Sequence, residues 1–252
     1  YLAQIGTDNQ EHYSLTRFYL GGGVRRVFSD TLYAELGINA GMSRADDVFG
    51  ERDFYMVTLP LRVNWDKRDS KVSATKGFFL DSFVTPYVGF SDTESGLSAY
   101  FDARGYLSVT SSASVVLAGR VQLGTLIGPS LQDVSPEFLY YSGGAGTVRG
   151  QPYESLGVPA NGGISGGRSI LALSAEVRGR ITEKISLVGF FDIAAVGADQ
   201  FVTGDSPYQS GAGLGVRYDL GGLGPLRLDL AMPVEGTTGD GLQFYLGIGQ
   251  AF

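Results

Sequence analysis

Hydrophobic and polar residues alternate along most of this chain with a period of two. In TLYAELGINAGM (31–42) the even positions Leu32, Ala34, Leu36, Ile38, Ala40 and Met42 are apolar, while Glu35 and Asn39 stand among the odd ones. Such alternation puts one set of side chains on each face of a β-strand. Residues 53–66 repeat it, with Tyr55, Val57, Leu59, Leu61, Val63 and Trp65 against Thr58, Arg62, Asn64 and Asp66. In 168–181, Leu171, Leu173, Ala175, Val177 and Ile181 oppose Arg168, Ser174, Glu176, Arg178 and Arg180. The pattern predicts about twelve strands, at roughly 1–8, 12–27, 31–43, 53–66, 77–91, 96–109, 113–127, 168–181, 185–197, 209–220, 224–234 and 241–252. Short turns at 28–31, 181–184 and 220–223 alternate with longer polar connections at 44–52, 67–76, 128–167 and 198–208. Short turns at one end and long loops at the other are the habit of an outer-membrane barrel.

A soluble β-sandwich also alternates, but its strands are usually shorter. Segments of about 10–14 residues match a tilted strand crossing a bilayer. Arginine and carboxylate recur together on the polar faces, as suits a charged interior rather than a wetted outer surface. The fold class expected is therefore all-β, a transmembrane antiparallel β-barrel.

Composition narrows the chemistry. Glycine makes up 38 of the 252 residues without a three-residue period, which excludes a collagen-like chain. Aromatic residues at 12% and charged ones at 18% exclude a disordered polyelectrolyte. A net charge of −7 argues against nucleic acid as a partner. With no cysteine there is neither a disulfide nor a thiolate metal site. No apolar run approaches the length of a spanning helix, a fact that leaves closed barrels untouched. The first residues, YLAQIGTDNQ, carry no signal-peptide pattern, so any leader is expected upstream or already removed.

Candidate catalytic chemistry is sparse. The single histidine, His12, lies two residues before Ser14, but no third member of a hydrolase triad is identifiable. Asp46, Asp47, Glu51 and Asp53 lack the spacing of a calcium loop. GGGVRR at 21–26 has no helix after it to cradle a phosphate. No enzyme activity, metal or cofactor is expected.

The longest break in alternation, 128–167, far exceeds the roughly 12–15 residues of an ordinary structureless connection. Phe138, Tyr140, Tyr141, Tyr153 and Leu156 supply apolar anchors, and the glycines permit tight reversals. Within it lies YYSGGAGTVRGQPYESLG (140–157), whose Arg149 offers a rigid fork of donors suited to a carboxylate in a confined space.

The stretch Val148-Arg149-Gly150 with Tyr153 resembles the Val-Arg-Gly-aromatic motif of the bacterial surface antigen superfamily of outer-membrane assembly and translocation barrels; Gln151 stands where that family has an aromatic. WDKRDSKVSATKG (65–77) resembles its Asp-x-Arg-Asp…Pro-x-x-Gly stretch, with Ala74 for the proline. FFDIAAVG (190–197) resembles its Phe-x-Asp-x-Gly strand, with Ala194 for the glycine. The tail from 211 is similar to the translocation-and-assembly-module branch, and the terminal Phe252 resembles a bacterial outer-membrane recognition signal, with Gln250 departing from it.

The resemblance implies a barrel over 1–252 whose loop 128–167 folds into the lumen, where Arg149 pairs with Asp192; Glu176, on the preceding strand, is a second candidate acceptor. Parity places Asp192 with Ser186, opposite Ile185, Leu187, Phe191 and Ile193, and so on the inward face. It also implies a lateral gate at the last strand, which Gly247 and Gly249 weaken and Phe252 ends. Family barrels have sixteen strands, so the chain is expected to be either their C-terminal part or a reduced twelve-stranded relative, without the periplasmic POTRA repeats. The function implied is insertion or translocation of unfolded outer-membrane and autotransporter proteins in the bacterial outer membrane. The partners implied are outer-membrane lipid, those substrates and an inner-membrane-anchored protein spanning the periplasm. A translocator for a patatin-like passenger and a passive porin are the alternatives.

Overall fold

The computed structural model describes residues 2–91, 93–236 and 241–249. The alternating segments form β1 (Leu2–Asn9), β2 (Tyr13–Ser29), β3 (Leu32–Asp47), β4 (Gly50–Thr58), β5 (Leu61–Asp66), β6 (Gly77–Phe90), β7 (Gly96–Ser108) and β8 (Val115–Ile127). Beyond the long connection come β11 (Ser169–Arg180), β12 (Ile185–Gly197), β13 (Tyr208–Asp219), β14 (Pro225–Glu235) and β15 (Gln243–Ile248). Within that connection, β9 (Val158–Ala160) and β10 (Gly163–Ser165) make a small hairpin of their own.

All but the small hairpin pair antiparallel in one 13-stranded sheet that follows chain order. β4 and β5 share a single place in the wall, between β3 and β6, as the alternation over 53–66 leads one to expect. Leu59-Pro60 splits that place because proline has no amide hydrogen to give to a ladder. Hydrogen bonds bridge the break: Gly37 N–H donates to Pro60 O (2.8 Å) and Leu59 N–H to Pro86 O (2.9 Å).

Period two sorts the side chains. Val24, Leu36, Ile38, Leu187, Leu214 and Leu246 are exposed on the outer face, whereas Glu176, Arg178, Asp192, Arg217 and Asp229 are buried inside. Segment 128–167 fills that interior and touches opposite walls. Phe138 stacks on Tyr87 of β6 with ring centroids 5.1 Å apart, and Ser135 Oγ accepts from Ser43 Oγ of β3 at 3.1 Å. At the other side Gly150 N–H donates to Tyr245 Oη of β15 (2.9 Å). One loop can reach from β3 to β15 only if the sheet curls around it. The core is accordingly the seam between loop and wall: Val134 and Leu139 pack with Leu15, Met56, Tyr87 and Leu126, and Val148 packs with Ala172 and Ala194.

Three expectations need correction. Residues 44–52 are not a long connection; β3 and β4 run on to leave only residues 48 and 49 as the turn. Arg44 with Asp53 (2.6 Å) and Arg52 with Asp47 (2.5 Å) hold this hairpin together with charged pairs, which hides the apolar alternation. Segment 67–76 joins β5 to β6 at the end that carries the short turns, opposite to 128–167, so the long connections do not all gather at one end. It turns inward, and a Cβ on Gly224 would lie 2.9 Å from Val72 Cβ across the interior. Finally, β15 is shorter than the expected 241–252 strand; Gln250 and Phe252 lie outside the described residues. Among the described residues β1 has β2 as its sheet neighbour, and β15 has β14.

Candidate functional site

The motif loop is folded by its own hydrogen bonds before it meets the wall. Ser142 and Leu156 exchange backbone bonds at 2.9 Å each, closing a neck from which the loop protrudes. Gly143 N–H donates to Thr147 Oγ1 (2.8 Å) and Gly144 N–H to Gln151 O (3.0 Å), which curls the tip tightly enough to push Arg149 outward from it. Gly150 has φ +96°, and a Cβ there would lie 2.6 Å from the Met232 carbonyl carbon, so glycine is required by conformation and by space.

Arg149 is 2% exposed. Its Nε and Nη2 lie 2.7 and 3.0 Å from Asp192 Oδ2 and Oδ1, a bidentate fork, and its own amide donates to Asp192 Oδ2 at 3.1 Å. Nη1 donates to Glu176 Oε1 at 2.6 Å and reaches Asp229 Oδ2 at 3.4 Å. The guanidinium carbon sits 3.6 Å from the centroid of the Phe190 ring, which covers one face of the cation. Burial opposes the charge on Arg149, but the hydrogen bonds and charge of Asp192 and Glu176 outweigh it and raise its pKa above the ordinary value.

The structure thus brings Arg149, Asp192 and Glu176 together, and it adds Asp229, Phe190 and Tyr245. Asp229 had a signal in the sequence, as a carboxylate on the inward parity of LRLDLAM (226–232). The carboxylates are shared with the wall: Arg178 binds Glu176 at 2.7 Å, and Arg217 binds Asp229. A buried network of this kind contributes little net stability over apolar packing, yet removing one partner strands charge in low dielectric.

Gln151, at the position where an aromatic was expected, is fully buried. Its Nε2 donates to Ser210 O and Glu235 O, each at 2.9 Å, where the β13–β14 register shifts between Ser210 and Gly211. Gly211 is the wall's concession to the loop: a Cβ there would fall 2.0 Å from Arg149 O. Sequence reasoning passed over Gly211 because it reads as one more small residue in GAGLG (211–215). Ala194, the other departure, is buried against Val148.

The far side of the loop is held by groups that alternation alone did not mark. Glu137 accepts from Tyr19 Oη and pairs with Arg17 at 3.4 Å, both on β2. His12 Nε2 lies 3.0 Å from Glu154 O, and its ring stacks on Tyr141 with centroids 5.4 Å apart, while Ser14 is exposed. Tyr140 Oη donates to Ala99 O (3.1 Å), and burial raises the pKa of both Tyr140 and Tyr141. Tyr153 does not serve as the wall anchor the sequence suggested: it is 62% exposed, because the turn with Glu154 at φ +51° directs it away from the packed tip.

The acidic run is paired with arginine, since Glu51 and Asp53 both contact Arg44 and Asp47 contacts Arg52. Among the described residues no cluster of histidine, cysteine and carboxylate has the makings of a metal site. Gly247 lies in β15 opposite Arg227. Gly249 follows the strand with φ +94° and donates to Pro225 O at 2.7 Å.

Comparison with known proteins agrees with this architecture. The Omp85 superfamily domain matches residues 5–252. The fold is similar to that of BamA from Haemophilus ducreyi lacking POTRA domains 1–3, with a TM-score of 0.73 and 14% identity over 92% of this chain and 54% of that one. It is also similar to CdiB from Acinetobacter baumannii, with a TM-score of 0.59 and 13% identity over 94% of this chain and 43% of that one. The chain therefore spans about half the length of these two relatives.

Proposed function

The chain belongs to the Omp85 superfamily, and from that premise we propose that it assists the insertion or translocation of other proteins at the bacterial outer membrane. Its substrates on this reading are unfolded outer-membrane and autotransporter chains, and its working partner is an inner-membrane-anchored protein that spans the periplasm, as for TamA of the translocation and assembly module. The reading needs no cofactor and no catalytic step.

The observation that carries it is the buried Arg149 anchor, which seats the loop across the interior against Glu176, Asp192 and Asp229. A passive porin works by an open interior, and a loop locked by three carboxylates works against that. On this reading the exit for a polypeptide is sideways, along β15, which among the described residues has β14 as its sheet neighbour and where Gly247 contributes no side-chain packing to hold another strand. Arg149 then serves to keep the interior plugged and the wall near β11–β14 in shape while the edge exchanges partners.

The test is reconstitution of the chain in vesicles with an unfolded outer-membrane barrel as substrate. Faster substrate insertion than in empty vesicles supports the reading, provided that Arg149→Ala removes the acceleration while remaining folded. Stable single-channel conductance without acceleration would favour a porin, and export of a fused passenger alone would favour a dedicated translocator.

A further inference from the structure

Below the Arg149 network, at the end with the short turns, lies a cavity of about 150 Å³. Residues 73–75 of the inward-turned 67–76 segment form part of its lining, facing the ends of β11, β12 and β13. Its charged lining is Arg178, Arg180, Lys184 and Arg217 against Glu183 and Asp219. On a chain with a net charge of −7, this is a local reversal of sign.

The buried charges above it are matched three to three: the guanidinium groups of Arg149, Arg178 and Arg217 face the carboxylates of Glu176, Asp192 and Asp229. A fourth guanidinium, that of the half-buried Arg227, lies 3.7 Å from Asp229, so the carboxylates that hold Arg178 and Arg217 are already shared with Arg149 and Arg227, and a further anion would find donors at this end. Arg217, whose side chain is 3% exposed, spends its terminal nitrogens on Asp229, while its Nε is buried and has no partner among the described residues. Ser114 and Ser186 add hydroxyl donors to the same lining.

We propose that this cavity is a binding site for a phosphate group, supplied either as free phosphate or as a phosphomonoester headgroup. A carboxylate has two oxygens to offer, whereas a phosphate can accept simultaneously from arginine, lysine and serine donors spread over three strands and presents up to two negative charges. The volume admits a group of that size and excludes a whole lipid. Because Arg178 and Arg217 also hold Glu176 and Asp229, a phosphate bound here shares its donors with the acceptors of Arg149 and couples the site to the seating of the loop.

The experiment is titration of the folded, detergent-solubilised chain with inorganic phosphate and, separately, with glycerol 3-phosphate, followed by calorimetry and phosphorus NMR. Two variants accompany the wild type: Arg217→Gln, which removes the donor, and Ser186→Trp, which fills the cavity and leaves every charge in place. Saturable binding to the wild type, weakened about tenfold or more in each folded variant, is expected. Binding of inorganic phosphate alone identifies the free ion as the ligand, and binding of glycerol 3-phosphate as well extends the site to headgroups. If Arg217→Gln fails to fold, Ser186→Trp decides. No binding to the wild type, or binding equal in wild type and Ser186→Trp, overturns the proposal.

Discussion

Arg149 and Asp192 meet through a two-pronged contact, with guanidinium Nε and Nη2 at 2.7 and 3.0 Å from the two carboxylate oxygens and the Arg149 amide at 3.1 Å from one of them. Side chain and backbone of one loop residue thus converge on one wall carboxylate. A lysine at 149 could reproduce the charge but not the planar fork, nor reach Glu176 at the same time. Arg149→Lys and Arg149→Ala are therefore both expected to unseat the loop. Arg149→Ala should cost about 3–5 kcal/mol of stability, because Asp192 and Glu176 are left buried without their shared cation, and Arg149→Lys, which keeps the charge but loses the fork, should cost less. Thermal unfolding in detergent, with protease sensitivity of 140–157 as a local readout, checks this; a loop equally protected in Arg149→Lys would contradict the geometric account.

Gln151 supplies a second prediction. Replacing it by phenylalanine, the aromatic class its family carries there, should destabilise this chain by about 1–3 kcal/mol, since Ser210 O and Glu235 O lose their buried donor. The same measurement applies, and a stabilised Gln151→Phe would mean that the pocket between β13 and β14 tolerates a ring.

Glu137 is expected to be an independent fastening on the other side of the loop. Glu137→Gln removes the charge pairing with Arg17 and weakens the contact with Tyr19. Since Glu137 and Arg149 share no hydrogen-bond partner in the contacts described, the stability losses of Glu137→Gln and Arg149→Ala should add to within about 0.5 kcal/mol in a double-mutant cycle. A large coupling between them would show that the loop seats as one rigid unit.

Acid should loosen the 67–76 segment. Asp69 there accepts from Thr75 Oγ1 (2.6 Å) and from the amides of Thr75 (2.9 Å) and Lys76 (3.1 Å). Partial burial pushes its carboxyl up, but these hydrogen bonds outweigh that and hold its pKa below the ordinary value. A folded-state pKa below the unfolded one gives a stabilisation that is present above the unfolded pKa and is lost as pH falls through the folded pKa. The amide signals of Thr75 and Lys76 should therefore shift only below about pH 4, and the shift should vanish in Asp69→Asn. A shift that persists in Asp69→Asn would assign it to another group.

Much of the wall was legible in the sequence because a half-lipid, half-lumen strand must alternate, and one residue of slip would turn every side chain to the wrong face. That is why β12 and its inward Asp192 followed from parity alone. The hairpin at 44–52 was not legible, because its charged pairs erase the alternation by which a strand is recognised. The direction of segment 67–76 was legible in the expected strands themselves: it follows the fourth, as the short turn 28–31 follows the second, and its polar composition obscured this by grouping it with the long loops. In the loop, Arg149 stood out by residue type and surroundings, whereas Gly211 and Gln151 matter through contacts with distant backbone that no local pattern encodes. Tyr153 misled because an aromatic in a loop was read as an anchor, while the backbone reversal beside it points the ring outward.

The proposed lateral route is tested most directly by crosslinking. The chain has no cysteine, so a single cysteine placed in turn at each position of β15 (Gln243–Ile248) is unique. With a substrate carrying one cysteine in its own terminal strand, crosslinks during insertion are predicted to follow strand register, strong at matched positions and weak when the substrate cysteine is shifted by one residue. Arg149→Ala should reduce their yield. Absence of crosslinks along β15 while substrate still inserts, or crosslinks confined to inward-facing residues of β7 and β8, would contradict the account.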